Sequence, residues 1–247
     1  MPWRKTRNPY RILVSEVMLQ QTSVARVTDK YAQFLRAFPN VSTLATAGTD
    51  ELLGVWKGLG YNRRALSLRA AARVIASTHG GKVPRTVGEL VALPGIGHAT
   101  AGAVLAYAYE IALPFVETNI RRVFLHFFFP DEEGVTDARI LPLVEKTLDR
   151  GNPREWYYAL MDYGAMLGKT AVNANRRSVR FRRQKPFEGS FRQLRGAILA
   201  AMLTLKKANA ARIAEAMGTA DQRLDKAIGQ LVQEGFLARR GDLYYFR

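Results

Sequence analysis

Two glutamates stand where a carboxylate is either costly or committed. Glu16 interrupts the run Ile12-Leu13-Val14-Ser15-Glu16-Val17-Met18-Leu19, which is apolar nearly all round a helix and should be buried. A carboxylate in such a run must be hydrogen-bonded to a neighbouring helix or protonated. The first option is structural; the second makes Glu16 a general acid with a raised pKa. Glu117 opens a predicted helix with Thr118 and Asn119 beside it, where a carboxylate caps bare N–H groups and offsets the helix dipole. It also lies 20 residues after Gly97, so a chemical role stays open. Between the two glutamates stands Leu93-Pro94-Gly95-Ile96-Gly97-His98-Ala99-Thr100. Gly95 and Gly97 permit a tight turn, and the Ala-rich helix that follows starts with free N–H groups, a ready phosphate site. The alternative is an ordinary corner between two helices.

These groups need helices to position them, and the pattern supplies helices almost throughout. The periodicity predicts them over 9–21, 24–38, a short one from Asn40 with Asn40 or Ser42 as cap, and 49–57. Further helices are expected over 63–78, stopped by Gly80-Gly81, then 87–93, 100–109, from Glu117, 137–150 and 153–167. An aromatic-rich segment covers 124–129. Residues 169–185 hold seven basic residues and no acid: Lys169, Arg176, Arg177, Arg180, Arg182, Arg183 and Lys185. This basic strap is expected near phosphate or, on the plainer reading, in solvent. From Ser190 a separate unit is expected: helices over 191–206, 208–217 and 222–234, then a hairpin turning at Arg240-Gly241-Asp242. Three helices and a β-wing describe a winged helix-turn-helix, which can bind a duplex or dock a protein.

The chain has 247 residues and a formal net charge of +16, an excess that points to nucleic acid or another anionic surface. It contains no cysteine, which excludes thiolate catalysis, disulfides and cysteine-ligated zinc or iron–sulfur sites. His79, His98 and His126 are scattered and lack metal-ligand spacing. No apolar run is long enough to span a bilayer, and the basic N-terminus lacks the apolar core of a signal peptide. A monomer in the cytoplasm, associated with the nucleoid, is expected, with no membrane partner.

The run Pro2-Trp3-Arg4, the segment Val14-Ser-Glu-Val-Met-Leu-Gln-Gln-Thr22, Gly58-Leu-Gly-Tyr61, and Leu93-Pro-Gly-Ile-Gly97 with Thr100-Ala-Gly-Ala103 together resemble the helix-hairpin-helix DNA glycosylase superfamily. Within it the match is to the A/G-specific adenine glycosylase (MutY) branch, over roughly residues 2–168. The resemblance implies a mainly α, two-lobed glycosylase domain, here followed by the small winged helix. It implies double-stranded DNA with a mispair or lesion as partner, and a nucleotide extruded from the stack. Glu16 matches the glutamate that protonates the leaving purine. Glu117 matches the position of an aspartate that stabilises the oxocarbenium-like sugar and positions water, and Asn119 an asparagine beside it. Gln20 and Gln21 match residues packed around the mispair, and Tyr61, Asn62 and Ala99 complete the expected base pocket. Gly95, Gly97, His98, Thr100, Arg63, Arg176 and Arg177 are expected on the DNA backbone. No side chain is expected to bind metal, but a monovalent cation, K+ or Na+, is expected at the carbonyls of Leu93 and Gly95. Two carboxylates in different environments suit N-glycosidic cleavage, which needs a proton on the leaving base and negative charge near the developing cation.

Four departures refine the expectation. Glu117 replaces aspartate, moving the carboxylate by about 1 Å, a displacement that can cost on the order of 10²-fold in rate. Ala99 stands where bifunctional relatives carry a Schiff-base lysine, so a monofunctional enzyme is expected. Gly168, Asn175, Ser178 and Gln184 occupy the positions of the iron–sulfur cysteines, so no cluster and no other cofactor are expected. Tyr61-Asn62 resembles the endonuclease III branch, and the domain that reads 8-oxoguanine in bacterial MutY is expected to be replaced by the winged helix. The expected domains are 1–168 (glycosylase), 169–189 (basic linker in place of the cluster loop) and 190–247 (winged helix). The expected function is hydrolysis of the N-glycosidic bond of adenine opposite 8-oxoguanine or guanine. The alternatives are a glycosylase for T or U opposite G, and a catalytically impaired lesion-binding protein.

Overall fold

A computed structural model describes residues 1–170, 172–182, 186–219 and 221–247. Thirteen α-helices and three short strands make up the described chain, which divides into two compact units. Met1–Val17 and Lys82–Arg183 form the first; Met18–Gly81 and Gln184–Arg247 form the second. Helix α1 (Pro9–Leu19) belongs to the first unit through Val17 and to the second from Met18.

In the first unit, α6 (Val87–Val91) and α7 (His98–Tyr109) form the hairpin, and α8 (Thr118–Phe128), α9 (Asp137–Thr147) and α10 (Pro153–Thr170) follow. Helix α7 is apolar on every side, and Ala101 to Tyr107 are all buried. A helix without a polar face belongs in the middle of a core. Helix α8 instead buries Ile120, Val123 and Phe124, at the i, i+3, i+4 spacing of one stripe. Its main neighbour is α10. The two backbones approach so closely that a Cβ on Gly164 would lie 2.4 Å from the Asn119 carbonyl oxygen. Glycine at 164 is thus what allows α8, and the glutamate at its start, to sit where they do. Phe115 stacks on Tyr157, whose hydroxyl donates to the Leu113 carbonyl at 2.7 Å.

In the second unit, α2 (Val24–Ala37), α3 (Val41–Thr46), α4 (Thr49–Trp56) and α5 (Arg63–Thr78) come from the N-terminal half. Asn40 and Thr43 close a reciprocal cap on α3, and Arg69 and Arg73 donate to the Ala47 and Ala45 carbonyls at its other end. The C-terminal part runs α11 (Phe191–Leu205), β1 (Lys207–Ala208), α12 (Ala210–Met217), α13 (Leu224–Gln233), β2 (Leu237–Arg240) and β3 (Leu243–Phe246). The strands are antiparallel in the order β1-β3-β2, with Lys207 opposite Tyr245 and Arg240 opposite Leu243. Ile198, Met202, Ile213, Ile228 and Leu231 form its core. Each such side chain contributes about 1.5–3 kcal/mol on full burial.

Several boundaries differ from expectation for local reasons. Helix α1 stops at Leu19 rather than 21, because Gln21 adopts a positive φ of 55°. Helix α7 starts two residues early, at His98, with Gly97 as its N-cap. Helix α10 runs on past 167 to Thr170, taking Lys169 and Thr170 out of the linker. Strand β1 was not anticipated: two residues carry no period, and their partners lie near the other end of the segment.

Candidate active site

Glu16 and Glu117 fall in the same compact unit. Glu16 keeps some accessible surface, yet protein crowds its carboxyl closely enough that burial, with Glu117's charge second and only partly offset by Arg4, pushes its pKa up to about 8. Among the described residues no hydrogen bond ties it to a neighbouring helix, and a carboxyl with so high a pKa is mostly protonated at neutral pH. Arg4 is clamped to Asp162 by two 2.7 Å hydrogen bonds and lies 4.4 Å over the Tyr158 ring.

Glu117 is the N-cap of α8. Its Oε1 accepts from the backbone N–H of Asn119 and, at 2.8 Å, from that of Ile120. Burial raises its pKa, and these N–H groups with Arg121 offset only part of that rise. The two carboxyls therefore differ in kind. Glu117 has donors that stabilise its anion, whereas Glu16 has little beyond Arg4. Such a split suits one acid and one anion. Capping and chemistry are compatible, because one oxygen takes both N–H bonds. Asn119 is held by its Oδ1, which accepts from Arg122 at 2.9 Å.

The hairpin presents an open backbone. Leu93 and Ile96 are buried, while Gly95, Gly97 and His98 are exposed. Gly95 has φ 79° and needs to be glycine. Gly97 does not: its φ is −92°, and a Cβ there would meet nothing within 4 Å. Glycine at 97 thus answers no demand of the turn and leaves room for a group approaching from outside. The N-cap Gly97 has no side chain to cap α7, and Ala99 and Thr100 lie in the first turn half-buried. The Leu93 carbonyl accepts the Ile96 N–H at 3.1 Å and has a second lone pair for a cation.

The other predicted pocket residues, Gln20, Gln21, Tyr61 and Asn62, lie in the second unit. Sequence reasoning missed the residue that organises them. Arg64 donates to the carbonyls of Met18, Gln20, Leu59 and Gly60 and to Thr22 Oγ1, and its guanidinium lies 5.4 Å from the rings of Trp56 and Tyr61. It ties the turn after α1 to the Gly58–Tyr61 turn. Burial lowers its pKa to about 10, which still leaves it charged at neutral pH. Backbone carbonyls leave no mark in the sequence, so nothing singled Arg64 out from its neighbours. Arg63, expected on DNA, bridges to Glu234 at 2.8 Å, and Arg192 donates to the Tyr61 hydroxyl.

The strap divides by role. Arg177 donates to the carbonyls of Pro130 and Leu125, so it holds the end of α8. Arg180 pairs with Asp137 at 2.8 Å, and Arg182 donates to carbonyls of its own segment. Arg176 is exposed and, among the described residues, unpartnered. Arg183, Gln184 and Lys185 lie outside the described residues. Of the four positions matched above to iron–sulfur cysteines, Gly168, Asn175 and Ser178 are described, and their surroundings do not fit a cluster. Asn175 Nδ2 donates to the Thr118 carbonyl at 3.1 Å, and Ser178 Oγ accepts the Arg180 N–H. A Cβ on Gly168 would press on the Arg122 guanidinium. A bridge between Val135 and Ser178 ties the segment down instead. Among the described residues, no group of three or more His, Cys, Asp or Glu could hold a metal ion.

Residues 14–145 match the family described as HhH-GPD superfamily base excision DNA repair protein, and the chain belongs to that superfamily. Within it the chain belongs with the adenine DNA glycosylases. It is 38% identical over 216 residues to the adenine DNA glycosylase of Mycolicibacterium smegmatis, covering 81% of this chain and 74% of that protein. It is 34% identical over 171 residues to that of Buchnera aphidicola subsp. Baizongia pistaciae, covering 68% of this chain and 48% of the relative. The chain spans about half the length of several of the curated relatives it matches. A thermostable thymine-DNA glycosylase structure superposes with a TM-score of 0.61 at 29% identity, covering 67% of this chain and 78% of that one. A trapped endonuclease III–DNA covalent intermediate gives 0.53 at 25% identity, over 67% and 76%. No described helix is long and apolar enough to cross a membrane.

Proposed function

We propose that the protein is a monofunctional DNA glycosylase of base excision repair that removes adenine opposite 8-oxoguanine or guanine. The observation that carries this reading is the pairing, in one compact unit, of a carboxyl held protonated, Glu16, with one whose Oε1 accepts two backbone N–H bonds, Glu117. Glu16 donates its proton to the purine ring; the N-glycosidic bond breaks and its electron pair leaves with the base. The Glu117 carboxylate stabilises the sugar cation and takes a proton from the water that adds to C1′. The exposed backbone of the hairpin, with Thr100 at its helix start, takes a DNA phosphate, and a K+ or Na+ at the Leu93 and Gly95 carbonyls assists it. Ala99 offers no amine, so strand cleavage does not follow. No iron–sulfur cluster or other cofactor takes part, and the chain acts as a monomer in the cytoplasm, on the nucleoid.

A second reading, excision of T or U opposite G, is favoured by the likeness to the thymine-DNA glycosylase structure. Single-turnover assays on duplexes carrying A opposite 8-oxoguanine, A opposite G, T opposite G and U opposite G separate the two. The adenine reading predicts alkali-labile abasic sites in the first two and unbroken strands before alkali. Product from the pyrimidine duplexes alone would replace it, and no product from any would reject both.

A further inference from the structure

Tyr107 is a buried polar side chain that neither glutamate's role explains. It lies on α7, is 2% exposed, and its hydroxyl has no hydrogen-bond partner among the described residues. Buried hydroxyls are almost always bonded, and an orphaned one costs stability that a phenylalanine would avoid. Ring and backbone are each held. Tyr158 stacks on it at 4.4 Å with an interplanar angle of 18°, and the Tyr107 carbonyl accepts from buried Arg154. The charged and titratable groups close enough to act on the hydroxyl are Glu16, Glu117, Tyr158 and Arg4. Burial and the two glutamates hold the phenol well above its ordinary pKa, so it stays an O–H donor.

We propose that the Tyr107 hydroxyl is a positioning residue that holds a water molecule against the two glutamates, donating to the water's oxygen while the water donates to the Glu117 carboxylate. This rests on the glycosylase reading above. One lone pair of the water is then engaged by Tyr107 and the other is free to attack C1′. Hydrolysis keeps its balance: the water's proton passes to Glu117, the base leaves with the proton from Glu16, and Tyr107 keeps its own. A water needs two to four polar partners to stay in a buried place, and these groups supply them.

The test is Tyr107→Phe in the full chain, which removes one oxygen and keeps the stacked ring. The expected result is a single-turnover rate on A opposite 8-oxoguanine at least 10-fold lower, unchanged affinity for the duplex, and a Tm equal to or above that of wild type. An unchanged rate, or a rate loss accompanied by a lower Tm, would overturn it. A high-resolution crystal structure gives an arm independent of turnover. It should show a water within hydrogen-bond distance of Tyr107 Oη and of the Glu117 carboxylate. A hydroxyl without that water overturns the proposal even if the enzyme turns over. Wild type inert on every duplex, with the water in place, would instead reject the glycosylase reading.

Discussion

Glu16→Gln should make the protein more stable while making it inactive, and the stability gain should depend on pH in a defined way. The substitution keeps the shape of the protonated acid and removes the ability to ionise. Below pH 4.5, the ordinary value for this carboxyl, wild type is protonated both folded and unfolded, and the two proteins should be equally stable. Between 4.5 and about 8 the unfolded chain ionises Glu16 while the folded chain does not. Wild type then loses stability as pH rises, by about 1.4 kcal/mol per pH unit. Summed to pH 7 the difference is on the order of 3 kcal/mol in favour of the variant. At roughly 2–4 °C per kcal/mol for a chain of this size, the gain in Tm is on the order of 10 °C. Above about pH 8 the folded form ionises too and the gap stops widening. Thermal melts of both proteins from pH 4 to 9 measure this directly. A gap that stays constant across that range would refute the raised pKa, and with it the acid role. The combination of higher stability and lost activity is the ordinary signature of a site held in a costly state for function.

Three further outcomes follow from particular contacts. Glu117→Gln keeps an oxygen for the Asn119 and Ile120 N–H groups, so its Tm should stay within a few degrees of wild type while single-turnover excision falls at least 100-fold; equal loss of folding and activity would make Glu117 a cap alone. Arg176→Ala should lower DNA affinity and reduce the salt slope by about one, whereas Arg177→Ala should lower Tm by uncapping α8; binding titrations at several salt concentrations beside melts would expose a reversal of those roles. Gly164→Ala places a Cβ 2.4 Å from the Asn119 carbonyl oxygen and should cost about 1–3 kcal/mol, read by denaturant midpoint; an unchanged midpoint would mean that α8 and α10 separate freely.

The residues that sequence reasoning located are those whose environment is set by their own segment. Glu16 is legible because its neighbours in the chain are apolar, and Glu117 because a carboxylate before Thr118 and Asn119 sits at a helix start. The hairpin is legible from its glycines, although the two differ: the turn needs Gly95, with its positive φ, while Gly97 has an ordinary φ and open space where a Cβ would lie. What was not legible depends on partners distant in sequence. Arg64 binds four backbone carbonyls, which every residue carries and no residue type announces. Tyr107 reads as one more apolar position in α7, because a period reports burial and says nothing of which polar atom is buried with it. Arg177 reads like Arg176, since charge alone does not separate a cation that caps a helix from an exposed one without a partner among the described residues.

The central claim is that Glu16 delivers the proton that lets the base leave. The rate of base excision from a duplex carrying A opposite 8-oxoguanine, followed under single-turnover conditions from pH 5 to 10, tests it most directly. Excision by wild type should decline as pH rises through about 8, and Glu16→Gln should excise at no pH. A rate that stays level to pH 10, or a Glu16→Gln variant that excises as fast as wild type, would contradict it.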